Sequence, residues 1–168
     1  MVLLKKIFLQ ESFTINFICS GNIIRSPYAE LLFEKLIRKY DVLSNKISVE
    51  SGGVKYRNSM ISEESAVMLL KEGVAEERIN RFSPRFYRDF PEMFEKNDLI
   101  LVMEQSHLKC IPRKYSDKSF LFLDFVYGKA IGDVPDPYFD PPFERAYNMI
   151  KDALLSLLDQ ILQVNRKL

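Results

Sequence analysis

The chain has 168 residues, of which 47% are apolar and 28% charged, and its formal net charge is +1. This length and composition predict a single domain, 1–168, in which residues 1–12 form an N-terminal extension. The balanced charge excludes a strong overall field for nucleic acid or an acidic membrane, so we expect neither as a partner. Two cysteines and one histidine supply neither a disulfide framework nor a self-sufficient zinc site. We therefore expect no cofactor, no metal and a reducing, cytoplasmic location.

The first ten residues are a short apolar run interrupted by Lys5 and Lys6. Such a run is too broken for a signal peptide and too short to span a bilayer. We expect its apolar side chains to pack on the domain.

A strand, a small loop and a helix follow. Residues 13–18 predict a buried strand, and Pro27 with the periodic apolar residues at 31, 32, 33 and 36 predicts a helix with Pro in its first turn. The loop at 19–26 therefore lies at a helix N-terminus. Free backbone N–H groups and the positive end of the helix dipole favour an anion there, above all a phosphate.

The side chains of this loop are suited to phosphate chemistry. Cys19 opens it, and the amides together with Arg25 favour a nucleophilic thiolate. The fork of Arg25 can bind two oxygens of one phosphoryl group. Gly21 and Asn22 tolerate positive φ, which predicts a nest of inward N–H groups. Ser26 offers a hydroxyl to the thiolate. A lone Cys is more often a small buried hydrophobe, but the combined strand, Gly-Asn, Ser-Pro and helix favour the functional interpretation.

The segment Cys19-Ser-Gly-Asn-Ile-Ile-Arg25-Ser-Pro resembles the phosphate-binding loop of the low-molecular-weight protein tyrosine phosphatases, and the resemblance spans most of the chain. It implies that Cys19 is the nucleophile, that Arg25 clamps the phosphate, and that Asn22 and Ser26 hold the loop and assist the thiolate. Many members carry a second Cys where this chain has Ile24. The remaining predicted loop residues are Ser20, Gly21 and Ile23.

The next elements are a strand, a wall loop and a helix. Residues 46–51 alternate like a strand that breaks at Gly52 and Gly53. In the family the loop beyond this turn walls the crevice, so Tyr56 and Arg57 are candidates, with an ordinary solvated loop as an equal alternative. Residues 62–71 predict a helix whose buried face is Ala66, Val67, Leu69 and Leu70.

Four arginines alternate with aromatic residues between Arg78 and Phe90. Such a pattern occurs in nucleic-acid platforms, but the balanced charge favours an irregular segment that packs its aromatic side chains inward. Arg81 or Arg85 then becomes a candidate for drawing in an anionic substrate.

Two further strands complete the predicted sheet. Residues 98–103 and 119–124 are apolar runs typical of buried parallel strands. A short helix at 105–111 lies between them, and its His107 is predicted to have a surface or packing role. Four strands with helical crossovers predict an α/β fold, a doubly wound four-stranded parallel sheet with helices on both faces. The family resemblance implies the strand order 2-1-3-4.

A second chemical segment, 132–139, precedes a long last helix that is predicted to begin near Asp140. A carboxylic acid on a loop over the site can protonate a leaving alkoxide or phenoxide. Asp136 is our candidate, with Asp133 and Asp140 as competitors, although Asp140 fits better as the helix N-cap. Asp136-Pro-Tyr resembles the family's Asp-Pro-aromatic signature, which implies that Asp136 is the general acid and that Tyr138 and Phe139 line the crevice.

The predicted function is a metal-independent phosphomonoester hydrolase, a protein tyrosine phosphatase that forms a phosphocysteine at Cys19. A cleft with aromatic walls suits a phosphotyrosine protein or a small aryl phosphate. A phosphoarginine phosphatase is the main alternative, and Ile23 argues against it because such relatives carry Thr there. An arsenate reductase would need more cysteines than Cys110 to pass on a disulfide. A non-catalytic phosphate-binding module is the third alternative.

Overall fold

The structure, a computed structural model, describes residues 2–167. Met1 and Leu168, the ends of the predicted domain, lie outside the described residues. The strands are β1 (Phe13–Cys19), β2 (Ile47–Gly53), β3 (Leu99–Val102) and β4 (Ser119–Leu121). The helices are α1 (Val2–Leu9), α2 (Arg25–Ile37), α3 (Asp41–Ser44), α4 (Glu63–Lys71), α5 (Glu76–Asn80), α6 (Met93–Lys96), α7 (Gln105–Leu108), α8 (Phe122–Tyr127) and α9 (Phe143–Asn165), with a 3₁₀ helix at Arg113–Lys118.

The strands form one parallel sheet in the order β2-β1-β3-β4, which confirms the predicted fold class and strand order. Cys19 pairs with Gly53 of β2, and Ile18 pairs with Val102 of β3. The carboxyl ends of the three strands therefore meet at one edge, where doubly wound sheets bind their ligands. Met103 extends that edge by donating its N–H to the carbonyl of Ile18 at 2.8 Å.

Both faces of the sheet are covered by apolar side chains, because successive residues of a strand point in opposite directions. Phe17 packs into the larger cluster, which also holds side chains of α2, α8 and α9. Its ring meets Phe33 at 6.1 Å and Phe122 at 5.3 Å, both edge to face. Burial of one such ring contributes about 2–3 kcal/mol, so β1 and the Cys19 at its end are firmly held. Ile18 belongs to the cluster on the opposite face.

The N-terminal segment forms α1, which packs on α9. Leu4 and Ile7 are buried, whereas Lys5 and Lys6 between them are exposed. A spacing of three residues places the two apolar side chains on one face of the helix. Within residues 2–167, none of the helices has the length and apolar character that a membrane crossing requires.

Several predicted boundaries are wrong. β2 continues through Gly52 and Gly53, where the sequence predicts a break, because both residues pair with β1. The helix predicted at 105–111 ends at Leu108.

The last strand and the last helix also differ from the prediction. β4 ends at Leu121 and Phe122 begins α8, so the run 119–124 is half strand and half helix; an unbroken apolar run fits both when each is buried. The long α9 begins at Phe143 with Pro142 at its N-cap position. Asp140 is therefore not the N-cap, and its carboxylate pairs with Arg145 at 2.9 Å.

The buried face predicted for α4 is also partly wrong. Leu69 and Ser65 are buried, but Val67 and Leu70 remain 42% and 47% exposed. Ser65 faces inward because its hydroxyl is hydrogen-bonded: it lies 2.8 Å from the Tyr147 hydroxyl of α9 and 3.0 Å from the carbonyl oxygen of Ile24. A hydrophobic pattern cannot detect a buried face that contains a satisfied polar group.

Candidate active site

Cys19 is the last residue of β1 and is only 3% exposed. Two donors converge on its sulfur: the Ser26 hydroxyl at 3.0 Å and the backbone N–H of Asn22 at 3.3 Å. The same hydroxyl lies farther, 3.4 Å, from the carbonyl oxygen of Gly52. A thiolate at Cys19 is therefore the nearer and stronger acceptor for the Ser26 hydrogen.

The loop after Cys19 is held in shape by close backbone contacts. Asn22 has a left-handed φ of 56°, whereas Gly21, for which we also expected positive φ, does not. A Cβ atom at Gly21 would lie 2.7 Å from the Asn58 amide nitrogen, so that side chain would have to move. Gly53 is needed for space, since its Cβ would lie 3.1 Å from the backbone carbonyl oxygen of Ser20.

A buried chain of hydrogen bonds orients the Ser26 hydroxyl. The amide nitrogen of Asn22 donates to Ser26 at 2.8 Å and to Ser51 at 2.7 Å, which uses both of its hydrogens. Ser51 in turn donates its hydrogen to the Glu30 carboxylate at 2.6 Å. Because Ser26 accepts from Asn22, its own hydrogen is free to point at Cys19. Donation therefore runs outward from Asn22 in two directions, through Ser26 to the sulfur and through Ser51 to a buried carboxylate on α2.

Arg85 completes this support behind the loop. Its backbone N–H donates to the Asn22 amide oxygen at 2.8 Å, and its guanidinium donates to the Ser51 carbonyl at 3.0 Å. Burial raises the pKa of Glu30, and the hydrogen bond from Ser51 and the charge of Arg85 oppose that shift. Arg85 therefore stabilises the loop from behind and does not line the cleft, and Arg81 pairs with Glu77. Neither arginine lines the cleft, so no contact supports the substrate-attracting role predicted for Arg81 or Arg85.

Arg25, the first residue of α2, is 2% exposed and has three acceptors. Its Nη1 donates to Glu104 Oε1 at 2.6 Å and to the carbonyl of Val134 at 3.0 Å, and its Nη2 donates to Asp136 Oδ2 at 2.8 Å. Burial alone would raise the pKa of Glu104, but the hydrogen bond and charge of Arg25 lower it overall. Glu104 is therefore an anion that holds the guanidinium.

Sequence reasoning missed Glu104. A signal was present, because Glu104 follows Met103 just past the carboxyl end of β3, at the same sheet edge as Cys19. Glu104 belongs to no sequence motif that would mark it as functional.

The structure separates the three competing aspartates of the second chemical segment. Asp136 contacts Arg25, and its other oxygen accepts the backbone N–H of Tyr138 at 3.2 Å. Asp133 accepts the N–H of Gln105 at 2.8 Å. Asp140 pairs with a residue of α9, as described above. Asp136 is thus the aspartate that reaches the loop.

His107, for which the sequence predicts a surface or packing role, is fully buried and hydrogen-bonded to the loop. Its Nε2 lies 2.9 Å from Ser20 Oγ, and its Nδ1 accepts the backbone N–H of Glu104 at 3.1 Å. Burial is the main reason why its pKa is lowered to about 4. No sequence motif marked this contact, since Ser20 and His107 are 87 residues apart.

The loop forms the floor of a cleft of about 340 Å³. Tyr56, Tyr138 and Phe139 lie on its walls and are 62%, 60% and 88% exposed. Arg57 is not among the lining residues and pairs with Asp89 at 2.7 Å over the ring of Phe86. The lining residues are Cys19, Ser20, Gly21, Ile23, Ile24, Arg25, Tyr56, Asn58, Asp136, Tyr138 and Phe139.

A buried thiol, a loop at a helix N-terminus, an arginine and an aspartate meet in one aromatic cleft. This arrangement defines the class of cysteine-dependent phosphatases. The family model for low molecular weight phosphotyrosine protein phosphatase matches residues 14–167. The chain therefore belongs to the low molecular weight protein-tyrosine-phosphatase family.

Individual relatives agree with this placement. The chain is similar to low molecular weight protein-tyrosine-phosphatase YfkJ of Bacillus subtilis, with 29% identity over 88% of this chain and 95% of that protein. It is 31% identical to a protein-arginine-phosphatase of the same organism, over 91% of this chain and 97% of that protein. The crystal structure of YfkJ superposes with a TM-score of 0.76 at 27% identity, covering 92% and 97% of the two chains.

Proposed function

We propose that this phosphatase hydrolyses phosphotyrosine or related aryl phosphates with Cys19 as nucleophile, Arg25 as phosphate clamp and Asp136 as general acid. The observation that carries the proposal is the convergence of two hydrogen-bond donors on a buried sulfur, in a loop whose arginine contacts the candidate acid. A thiolate nucleophile persists in a reducing compartment, so the proposal includes a cytoplasmic location.

The first step forms the phosphocysteine. The sulfur of Cys19 attacks phosphorus in line, and the bond to the leaving oxygen breaks as Asp136 gives that oxygen a proton. Loop amides and the Arg25 fork bind the equatorial phosphoryl oxygens. Glu104 and the Val134 carbonyl hold one end of the guanidinium, so Nη2 and Nε keep a fixed direction while a phosphoryl oxygen competes with Asp136.

The second step releases phosphate. Water attacks phosphorus, the P–S bond breaks, and its electron pair returns to Cys19. Asp136, now ionised, accepts a proton from the water. The Ser26 hydroxyl stabilises the departing thiolate because its hydrogen is already directed at the sulfur. The protein supplies the charge stabilisation through Arg25 and amides, so the proposed reaction is metal-independent.

The cleft wall favours a tyrosine substrate. Three exposed aromatic side chains flank an apolar floor residue, Ile23, which suits the flat face of a phenyl ring. Phosphoarginine is the second candidate, because the related protein-arginine-phosphatase is 31% identical over nearly the full length. A guanidinium leaving group would find no hydrogen-bond partner on the aliphatic Ile23 side chain.

Two other functions have weaker support. An arsenate reductase would pass a disulfide from Cys19 to a second cysteine, but Cys110 is absent from the cleft lining and its Sγ lies 3.7 Å from the carbonyl oxygen of Ser106. A non-catalytic phosphate-binding module would not need Asp136 at the clamp.

Steady-state hydrolysis with EDTA present tests the proposal. We expect turnover of p-nitrophenyl phosphate and phosphotyrosine peptides, with far slower turnover of phosphoserine and phosphoarginine peptides. Cys110→Ser is the matched control for Cys19→Ser and should keep wild-type activity. Phosphate binding without turnover would favour the binding module, and faster turnover of phosphoarginine would favour the arginine phosphatase.

A further inference from the structure

Ser20 and His107 form a polar pair beside Cys19 that the two steps above do not use. His107 is completely buried, and its Nε2 lies 2.9 Å from Ser20 Oγ. Its Nδ1 accepts the backbone N–H of Glu104 and therefore carries no hydrogen. In the neutral ring the hydrogen must then be on Nε2, so His107 donates and Ser20 accepts.

The direction of this hydrogen bond is stable over the range in which a phosphatase operates. Burial is the largest cause that lowers the pKa of His107 to about 4, the charge of Glu104 raises it, and the charges of Arg25 and Lys55 lower it. The imidazole is therefore neutral above about pH 5. One lone pair of Ser20 stays occupied, and the hydroxyl hydrogen of Ser20 is left for another acceptor.

Ser20 borders two cavities that also contact the candidate acid and base. Ser20 and Asp136 both line the catalytic cleft, and both also line a neighbouring cavity of about 310 Å³. Tyr56 and Phe139 are shared by the two cavities as well. Ser20 therefore lies at the junction of the two cavities, as Asp136 does.

We propose that Ser20 is a further catalytic residue that holds the water which hydrolyses the phosphocysteine, and that His107 is the positioning residue that orients Ser20. This inference rests on the phosphatase function proposed above. The water oxygen bonds to phosphorus, the P–S electron pair returns to Cys19, and one water proton passes to Asp136. Ser20 donates its hydrogen to the remaining lone pair of the water oxygen, which fixes the direction of attack.

This role affects the second step alone, because the water binds after the leaving group has departed. For p-nitrophenyl phosphate, kcat/KM reports the steps up to phosphoenzyme formation, whereas kcat includes its hydrolysis. In Ser20→Ala we expect kcat to fall about 10-fold, which corresponds to about 1.4 kcal/mol, while kcat/KM changes less than about 2-fold. Acid-quenched enzyme should carry more phosphate on Cys19 than the wild type.

Four further variants and one control sharpen the test. Ser20→Thr keeps the hydroxyl and should restore kcat, and His107→Gln, which keeps a donor and an acceptor, should stay close to wild type. His107→Phe should reproduce the Ser20→Ala pattern. The double variant Ser20→Ala/His107→Phe should have a kcat no lower than that of the slower single variant. Ser44→Ala is the control, since that exposed hydroxyl donates to the carbonyl of Asp41 on α3, far along the chain from the loop.

Two results would overturn the inference: an unchanged kcat in Ser20→Ala, or a parallel fall of kcat and kcat/KM, which would place Ser20 in the first step. A His107→Phe variant that fails to fold leaves the Ser20→Ala result decisive. A wild-type enzyme that turns over without phosphate on Cys19 would instead refute the proposed phosphocysteine mechanism itself.

Discussion

Asp136 Oδ2 and Arg25 Nη2 are joined by an ion pair 2.8 Å long. The candidate general acid is thus bound to the candidate phosphate clamp, and a phosphoryl group that enters the loop must share or replace this contact. The same guanidinium keeps Glu104 at 2.6 Å as a second anionic partner. Arg25 therefore stays oriented when Asp136 turns from the clamp towards a leaving group.

The first prediction concerns the acid. Asp136→Asn should lower kcat by about 10²- to 10⁴-fold for a poor leaving group such as tyrosine, because the proton donor is lost. The loss should shrink for acidic phenols, which leave without protonation. A series of aryl phosphates of rising phenol pKa measures this dependence. Asp133→Asn is the matched control, and our assignment is wrong if that variant shows the dependence and Asp136→Asn does not.

The second prediction concerns the clamp. Arg25→Lys should lower kcat/KM by about 10²- to 10³-fold and weaken inhibition by inorganic phosphate, because an ammonium cannot bind two oxygens in one plane. The substitution also leaves Glu104 and Asp136 to share one ammonium group, where the guanidinium donates to each through a separate nitrogen. Arg57→Lys, a change in an exposed arginine that pairs with Asp89, is the control. Equal activity of Arg25→Lys and wild type would contradict the clamp.

The third prediction concerns oxidation. Ile24 stands where many family members carry a second cysteine, so a sulfenic acid at Cys19 has no adjacent thiol to trap it. Peroxide should inactivate the enzyme through Cys19, and dithiothreitol should recover progressively less activity as exposure lengthens. Bound phosphate should protect, because it covers the sulfur. Peptide mapping by mass spectrometry is the measurement, and a disulfide between Cys19 and Cys110 with full recovery would exclude this account.

The fourth prediction concerns pH and stability. The pKa of His107 is about 4 in the folded protein, compared with about 6.5 in an unfolded chain. Between these values the unfolded state binds the additional proton, so stability from this group is full above pH 6.5 and falls as the pH drops towards 4. The total is roughly 3 kcal/mol. Urea unfolding of wild type and His107→Gln at pH 7 and 4.5 should show a smaller loss in the variant. An equal loss of stability in the two proteins between pH 7 and 4.5 would contradict the lowered pKa of His107.

Sequence reasoning located what depends on local order and missed what depends on distant contacts. Cys19, Arg25 and the loop between them lie within seven consecutive residues, so the strand, turn and helix signals place them together. Asp136 was found through a short signature, and the structure places it at Arg25. Glu104 and His107 act through partners 79 and 87 residues away, which no periodicity can reveal. The register of the parallel sheet brings Glu104 and His107 to the edge where β1 ends.

The predicted boundaries of strands and helices were wrong for a different reason. Phe122 continues an apolar run that fits a strand, yet it begins α8 and packs edge to face on Phe17, so an apolar pattern alone does not distinguish the two structures. The sequence makes Arg81 or Arg85 a candidate for drawing in an anionic substrate. In the structure the guanidinium of Arg85 lies 3.5 Å from the buried carboxylate of Glu30 on α2, which leaves no mark in a hydrophobic pattern.

The central claim is a covalent phosphocysteine at Cys19, and its most direct test is acid quenching during turnover followed by mass analysis of the peptides. We predict one phosphate on the peptide that contains Cys19 in wild type. Cys19→Ser should lose turnover while it still binds phosphate or vanadate, because the loop amides and Arg25 remain. Turnover by Cys19→Ser, or phosphate on another residue of the wild type, would contradict the account.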